Sequence, residues 1–227
     1  VTGVQTCALP ICNIKAIIFD CDGVLLDTIP MYAKANSIII GRPYPDEFQT
    51  KVNGLSESVF AQRVIEHFGL KMTPREFIDK RNEILRDMFP NTDLVKGVDK
   101  IVLRFSEMGL PMAVATSSFR ESHDKKTLKN KELFKLFKVQ ICGDEVVHAK
   151  PDPEIFLKAA AKLGYEPENV LVFEDSYNGI VAANAAGMAS TFLANEKEPY
   201  QEILKQFGAS PSYIIKAFDD FDFQAFD

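Results

Sequence analysis

Lys15-Ala-Ile-Ile-Phe19, running into Asp20-Cys-Asp-Gly-Val-Leu-Leu-Asp-Thr28, is the stretch on which the fold turns. A short apolar run this rich in β-branched residues reads as a buried strand. It stops at Asp20. Similar runs recur at Met112-Ala-Val-Ala-Thr116, Val139-Gln-Ile141, Val170-Leu-Val-Phe173 and Ser190-Thr-Phe-Leu193, with a weaker sixth at Tyr213-Ile-Ile215. Amphipathic segments lie between them. Gly97 to Met108 carries Val98, Ile101, Val102 and Phe105 on one face, and Gly109 can end it. Asp152 reads as an N-cap with Pro153 at the first helical position of a helix reaching Gly164. Asn178 to Ala186 reads as another helix, capped by Asn178 and stopped by Gly187. Such alternation implies an α/β fold, a Rossmann-like parallel sheet with helices on both faces.

One stretch breaks the alternation. From Ile29 to about Phe89 the pattern is helical with no convincing strand. Ser56 to Phe68 forms one helix. Thr73-Pro-Arg-Glu76 is a capping box with proline at N1, opening a second that runs to about Met88. A helical block inserted between the first and second strands reads as a small lobe of its own. The expected division is a core over 13–28 and 91–227 and a helical cap over 29–90. Residues 1–12 lack periodicity and resemble a translated sequencing adapter, so they are taken as a non-native or disordered leader.

The 227 residues are enough for one large domain or two unequal ones. With 46% apolar and 26% charged residues, the composition is that of an ordinary globular protein. The net charge of -6 and the lack of a Lys/Arg run disfavour a nucleic-acid polymer as partner. No apolar run reaches transmembrane length, which argues against a membrane partner. Cys7, Cys12, Cys21 and Cys142 form no zinc-type double pair and read as reduced thiols in a cytoplasmic protein. Cys21 is expected to pack as a small apolar residue. A monomer is compatible with the sequence.

Four polar clusters follow strands or helices. They are Asp20-Cys-Asp-Gly-Val-Leu-Leu-Asp-Thr28, Thr116-Ser-Ser118, Lys150-Pro-Asp-Pro153 and Glu174-Asp-Ser-Tyr-Asn-Gly179. Three of them begin where a strand of a parallel sheet ends, which is where ligand sites of open α/β sheets lie. They should therefore converge in space. Singly, each has an ordinary reading: a turn aspartate, a solvated lysine, a serine-rich loop. His67, His123 and His148 show no metal-ligand spacing and read as surface or locally hydrogen-bonded residues. Asp27 either steadies a turn or caps the next helix.

In this order the four clusters resemble the motifs of the haloacid dehalogenase superfamily of phosphohydrolases, and the likeness covers nearly the whole chain after Asn13. It implies that Asp20 attacks phosphorus to form an acyl phosphate. It implies also that Asp22 protonates the leaving oxygen and then activates water. Asp20, Glu174 and Asp175 make a negative cluster that a hard divalent cation, magnesium, would relieve. By resemblance Asp20 and Asp175 supply carboxylate ligands, Asp22 a backbone carbonyl, and Glu174 lies at or just behind the metal. Thr116, Ser117 and Ser118 hold phosphate oxygens, and Lys150 offsets the charge on the transferring group.

The loop Val52-Asn-Gly-Leu-Ser-Glu57 resembles the cap loop of β-phosphoglucomutase-like members, with Asn53 and Ser56 as substrate-binding candidates. Those mutases usually carry Arg just after the Gly-x-Ser element. Glu57 stands here instead, which removes a cationic clamp for a second phosphate and favours hydrolysis of a monophosphate. Phe89-Pro90, Ser122 through Lys126-Thr127, Lys131-Glu-Leu-Phe-Lys-Leu-Phe137 and Lys150-Pro-Asp-Pro-Glu-Ile-Phe156 look like the eukaryotic pseudouridine-5'-phosphatases. The expected substrate is a small phosphorylated metabolite. Phosphomutases and glycerol- or sugar-phosphate phosphatases are the alternatives.

Overall fold

The computed structural model describes residues 13–45, 48, 52 and 57–223. The leader 1–12, with Cys7 and Cys12, lies outside the described residues. So do Asn53, Gly54 and Ser56.

Six parallel strands form one sheet: β1 (Ala16–Phe19), β2 (Met112–Ala115), β3 (Phe137–Ile141), β4 (Val170–Glu174), β5 (Ala189–Leu193) and β6 (Tyr213–Ile215), in the order β3-β2-β1-β4-β5-β6. The chain winds outward from β1 through β2 to β3, then returns to the other side of β1 with β4. The crevice of such a sheet opens where the winding reverses, at the carboxyl ends of β1 and β4. Phe19 pairs in register with Phe173 and with Val114, so Asp20 emerges between the ends of β4 and β2.

Alternation along the strands sorts the two faces. Ile17, Phe19, Val114, Leu171 and Phe173 meet Val98, Ile101, Val102 and Phe105 of the helix Val98–Glu107, closed off by Phe218 and Phe221. Ala16, Ile18, Ala113, Ala115, Val170 and Val172 meet the helices Glu154–Leu163 and Tyr177–Ala185. Phe19 and Phe173 stack at 4.8 Å between centroids, whereas the second face brings small alanines against helices that are themselves alanine-rich.

Between β1 and β2 stand α1 (Ile29–Ile40), α2 (Glu57–Phe68) and α3 (Pro74–Met88). They bury a separate apolar cluster around Ile39, Ala61, Val64, Ile65 and Phe77. Thr73 and Glu76 form the expected capping box at the start of α3. The block joins the sheet through two neighbouring segments: the Asp27 N–H donates to Asp93 O at 2.9 Å, and Leu26 bridges Leu94 antiparallel.

Three local expectations are corrected. Pro153 precedes the helix, which starts at Glu154; Asp152 Oδ1 accepts from the Glu154 N–H at 2.9 Å, so its capping oxygen serves the first helical residue. Ser176, not Asn178, caps the helix Tyr177–Ala185, accepting from the Gly179 N–H at 3.0 Å. The third strand begins at Phe137, two residues early, because the chain leaves its preceding turn directly into the ladder with β2.

Candidate active site

The loop after β1 is a tight turn. The Leu25 and Leu26 N–H groups both donate to Cys21 O, and the Gly23 N–H donates to Leu26 O. Gly23 has φ +83°, and a Cβ there would lie 2.0 Å from Asp175 Oδ2. The missing side chain lets the loops after β1 and β4 touch. Gly179 does the same for Glu174, whose Oε1 would lie 1.8 Å from a Cβ.

Asp20, Asp22, Thr116, Ser117, Lys150 and Asp175 line one cleft of about 800 Å³, with Ser118 beside them. Four clusters more than 150 residues apart at the extremes are thus brought together. Lys150 is the hub. Its Nζ donates to Asp20 Oδ1 at 2.5 Å, Glu174 Oε1 at 2.7 Å and Ala115 O at 3.0 Å. Glu174 is buried behind the cleft with both oxygens engaged, Oε2 accepting from the Ser176 N–H and hydroxyl at 2.8 and 2.9 Å. It orients Lys150 and the loop, and its oxygens do not face the cleft.

The charges do not balance. Burial, together with Glu174 and Asp22, outweighs Lys150 and pushes the Asp20 carboxyl up to about 7. Burial, then the neighbouring Glu174 and Asp20 carboxylates, raise Asp175 well above the carboxylate range. A donor set of buried carboxylate oxygens with surplus negative charge fits a hard divalent cation. Asp20 and Asp175 offer oxygens toward the cleft.

Asp22 behaves differently. Burial pulls its carboxyl upward, but the Lys126 ammonium and hydrogen bonds from Lys126, Ser118 and Thr28 together hold it below its usual range. Lys126 Nζ donates to Asp22 Oδ1 at 2.6 Å, and the Ser118 hydroxyl to Oδ2 at 2.8 Å. Sequence reasoning had no role for Lys126; nothing in Lys125-Lys126 marks which lysine turns inward. Thr116 is buried, and its Oγ1 accepts from the Ser118 N–H at 3.1 Å, shaping the turn that presents Ser117 to the cleft.

The helical block supplies the opposite wall through Tyr32, Glu57, Asn82, Arg86 and Phe89. Glu57 is ion-paired with the buried Arg81, whose guanidinium also lies over the Tyr32 and Phe60 rings. The wall at Glu57 is therefore close to neutral rather than acidic, and Arg86 and Lys125 add cations that sequence reasoning missed. Asp27 is not the N-cap of α1: that position is Thr28, without a side-chain bond, and the Asp27 N–H instead ties the turn to Asp93 O.

His123 is buried rather than exposed. Its Nε2 meets Gln140 Oε1 at 2.7 Å and its Nδ1 faces Cys21 Sγ at 3.8 Å. His148 gathers with Asp152 and Glu154. Those carboxylates already accept from the backbone N–H groups of Val147, His148 and Glu154, so the trio is a turn support.

Residues 14–187 match the family model described as haloacid dehalogenase-like hydrolase. A probable pseudouridine-5'-phosphatase of Drosophila melanogaster is 38% identical over 179 residues, 75% of this chain and 78% of the relative. A (DL)-glycerol-3-phosphatase of Arabidopsis thaliana is 33% identical, over 78% of each chain. The crystal structure of a haloacid dehalogenase-like protein from Agrobacterium tumefaciens superposes with a TM-score of 0.76 at 28% identity, covering 91% of this chain and 95% of that one. Among the described residues no helix is long and apolar enough to cross a membrane. The converged clusters, their chemistry and these likenesses agree: the chain belongs to the haloacid dehalogenase-like hydrolases and is a phosphoric monoester hydrolase.

Proposed function

We propose that the protein hydrolyses a small phosphate monoester through a phospho-aspartate, with pseudouridine 5'-phosphate as the favoured substrate and magnesium as cofactor. The observation that carries this is the placement of Asp20 at the end of β1, one oxygen held by Lys150 and flanked by Asp22 and Asp175 in a single cleft. An Asp20 oxygen attacks phosphorus, the bond to the leaving oxygen breaks, and that oxygen takes a proton from Asp22, which binds one from water as the negative phosphate arrives beside it. Water then attacks phosphorus, the Asp20–phosphorus bond breaks, Asp22 takes the water proton, and inorganic phosphate leaves. Lys150, Thr116 and Ser117 bind the phosphoryl oxygens, while Ser118, with its hydroxyl on Asp22 and its N–H on Thr116, supports them from behind. Asp20, Asp175 and the Asp22 backbone carbonyl would hold the metal, with Glu174 behind them. Magnesium would supply charge neutralisation at the phosphoryl group.

Residues 13–28 and 91–227 serve as the core, and the block 29–90 as a cap over the leaving group. Asn53 and Ser56 keep their place as substrate-binding candidates. Buried, unpaired Cys21 and Cys142 support a reducing, cytoplasmic setting. Arg86 on the cleft, beside Lys125 and its ion-pair partner Glu121, favours one second reading, a phosphomutase holding a second anionic group.

The test compares kcat/KM for pseudouridine 5'-phosphate, uridine 5'-phosphate, glycerol 3-phosphate and a hexose 6-phosphate, with Asp20→Asn as control. Pseudouridine 5'-phosphate should lead, and Asp20→Asn should form no phospho-enzyme. Preference for the hexose phosphate, or its isomerisation, would move the assignment to the second reading.

A further inference from the structure

Lys126 is wholly buried, with 0% of its side chain exposed. Lysine is almost never found so unless paired. A buried ion pair is also often no more stabilising than apolar side chains of the same volume. The slot is apolar enough for such a replacement: the ammonium lies 4.7 Å from the centre of the Phe89 ring and 5.7 Å from that of Tyr32. Packing alone therefore gives no reason for a charge here.

The contacts supply one. Lys126 Nζ donates to Asp22 Oδ1 at 2.6 Å and to Ser118 Oγ at 2.7 Å, and the Ser118 hydroxyl donates to Asp22 Oδ2 at 2.8 Å. Three groups form a closed ring. Once χ1 of an aspartate is set, one soft torsion remains, χ2, and bonds to both carboxylate oxygens remove it. The Phe89 and Tyr32 rings, from the helical block, cover the ammonium, and the Tyr32 hydroxyl is its third polar neighbour beside Asp22 and Ser118.

We propose that Lys126 is a positioning residue for phosphoryl transfer, clamping the Asp22 carboxylate in the orientation from which it exchanges a proton with the leaving oxygen and with water. This rests on the reading in which Asp22 does that work.

The test uses leaving groups. A nitrophenolate departs without a proton, whereas an alkoxide needs one. Phospho-enzyme formation is measured in single turnovers for 4-nitrophenyl phosphate and for the best alkyl monophosphate of the four compared above. Wild type, Lys126→Met, Lys126→Gln and Asp22→Asn are compared. Asp22 keeps donors from Ser118 and Thr28 and 26% side-chain exposure, so Lys126→Met leaves its charge partly hydrated and hydrogen-bonded. Lys126→Met should slow the alkyl substrate at least roughly tenfold more than the aryl one, approaching Asp22→Asn, with KM little changed. Lys126→Gln should fall between. A merely structural role would slow both substrates alike.

If Asp22→Asn shows the bias and both Lys126 variants do not, the clamp is wrong and the role of Asp22 stands. If Asp22→Asn shows none, both fall. Should the variants not fold, nitrogen-edited NMR of the wild type decides. Sharp, slowly exchanging Lys126 ammonium protons with a cross-peak to Asp22 support the clamp, and free exchange overturns it.

Discussion

At the scale of single residues, the site depends as much on absent atoms as on reactive ones. Gly179 lies inside a helix, where alanine is worth up to about 1 kcal/mol more than glycine. Propensity alone would make Gly179→Ala stabilising. A Cβ there would sit 1.8 Å from Glu174 Oε1, and Glu174 is buried and fixed by Lys150 and Ser176. The carboxylate must move, and Lys150 loses a partner in the interior, a loss on the order of 3 kcal/mol or more. The clash wins. Gly179→Ala should lower the melting temperature and cut kcat together, as read by calorimetry and turnover. A variant as stable and active as wild type would show that Glu174 has freedom that its bonds do not suggest.

At the scale of elements, the sheet ends were legible because each strand is a short apolar run with a polar residue at its close. Asp20, Thr116 and Glu174 could be placed together from order alone. Lys126, Arg81 and His123 could not. Each sits on a helix among polar neighbours, and its inward turn is set by the facing element. His123, on the helix Arg120–Lys126, reaches Gln140 on β3 and Cys21 behind Asp20. Burial, then the nearby Arg120, hold its imidazole below the ordinary value of 6.5 despite the Gln140 bond. The unfolded chain thus binds the proton first as pH falls through 6.5, and the stability contributed by neutral His123 is lost below that pH. His123→Phe should be less stable than wild type at pH 7.5, and the gap should narrow by pH 5.5. Parallel melting curves across that range would refute the assignment.

At the scale of the whole molecule, the surplus charge of the cleft links metal to pH. Without a cation, the raised Asp20 carboxyl favours the folded state below its unfolded value of 3.8, and that contribution is lost as pH rises through about 7. Asp175 moves in the same direction. Magnesium should therefore raise the melting temperature more at pH 8 than at pH 5.5. At a hundredfold excess over its dissociation constant the gain is about 2.7 kcal/mol. Asp175→Asn should shrink it. A shift independent of pH, or none in thermal denaturation, would remove the basis for placing the metal among these carboxylates.

The helical block leaves and re-enters the sheet through segments that touch, Asp27 against Asp93 and Leu26 against Leu94. An insertion whose two ends meet closes no long span in its host, and the host needs none of its interior to complete β1 or β2. In engineering terms it is a cassette. The hydrolytic half of the molecule can be held constant while the piece between residues 28 and 93 is exchanged for another with equally close ends. On the proposed reading, the wall facing the leaving group could then be rewritten with Asp20 left in place, provided that the replacement keeps side chains where Tyr32 and Phe89 cover Lys126.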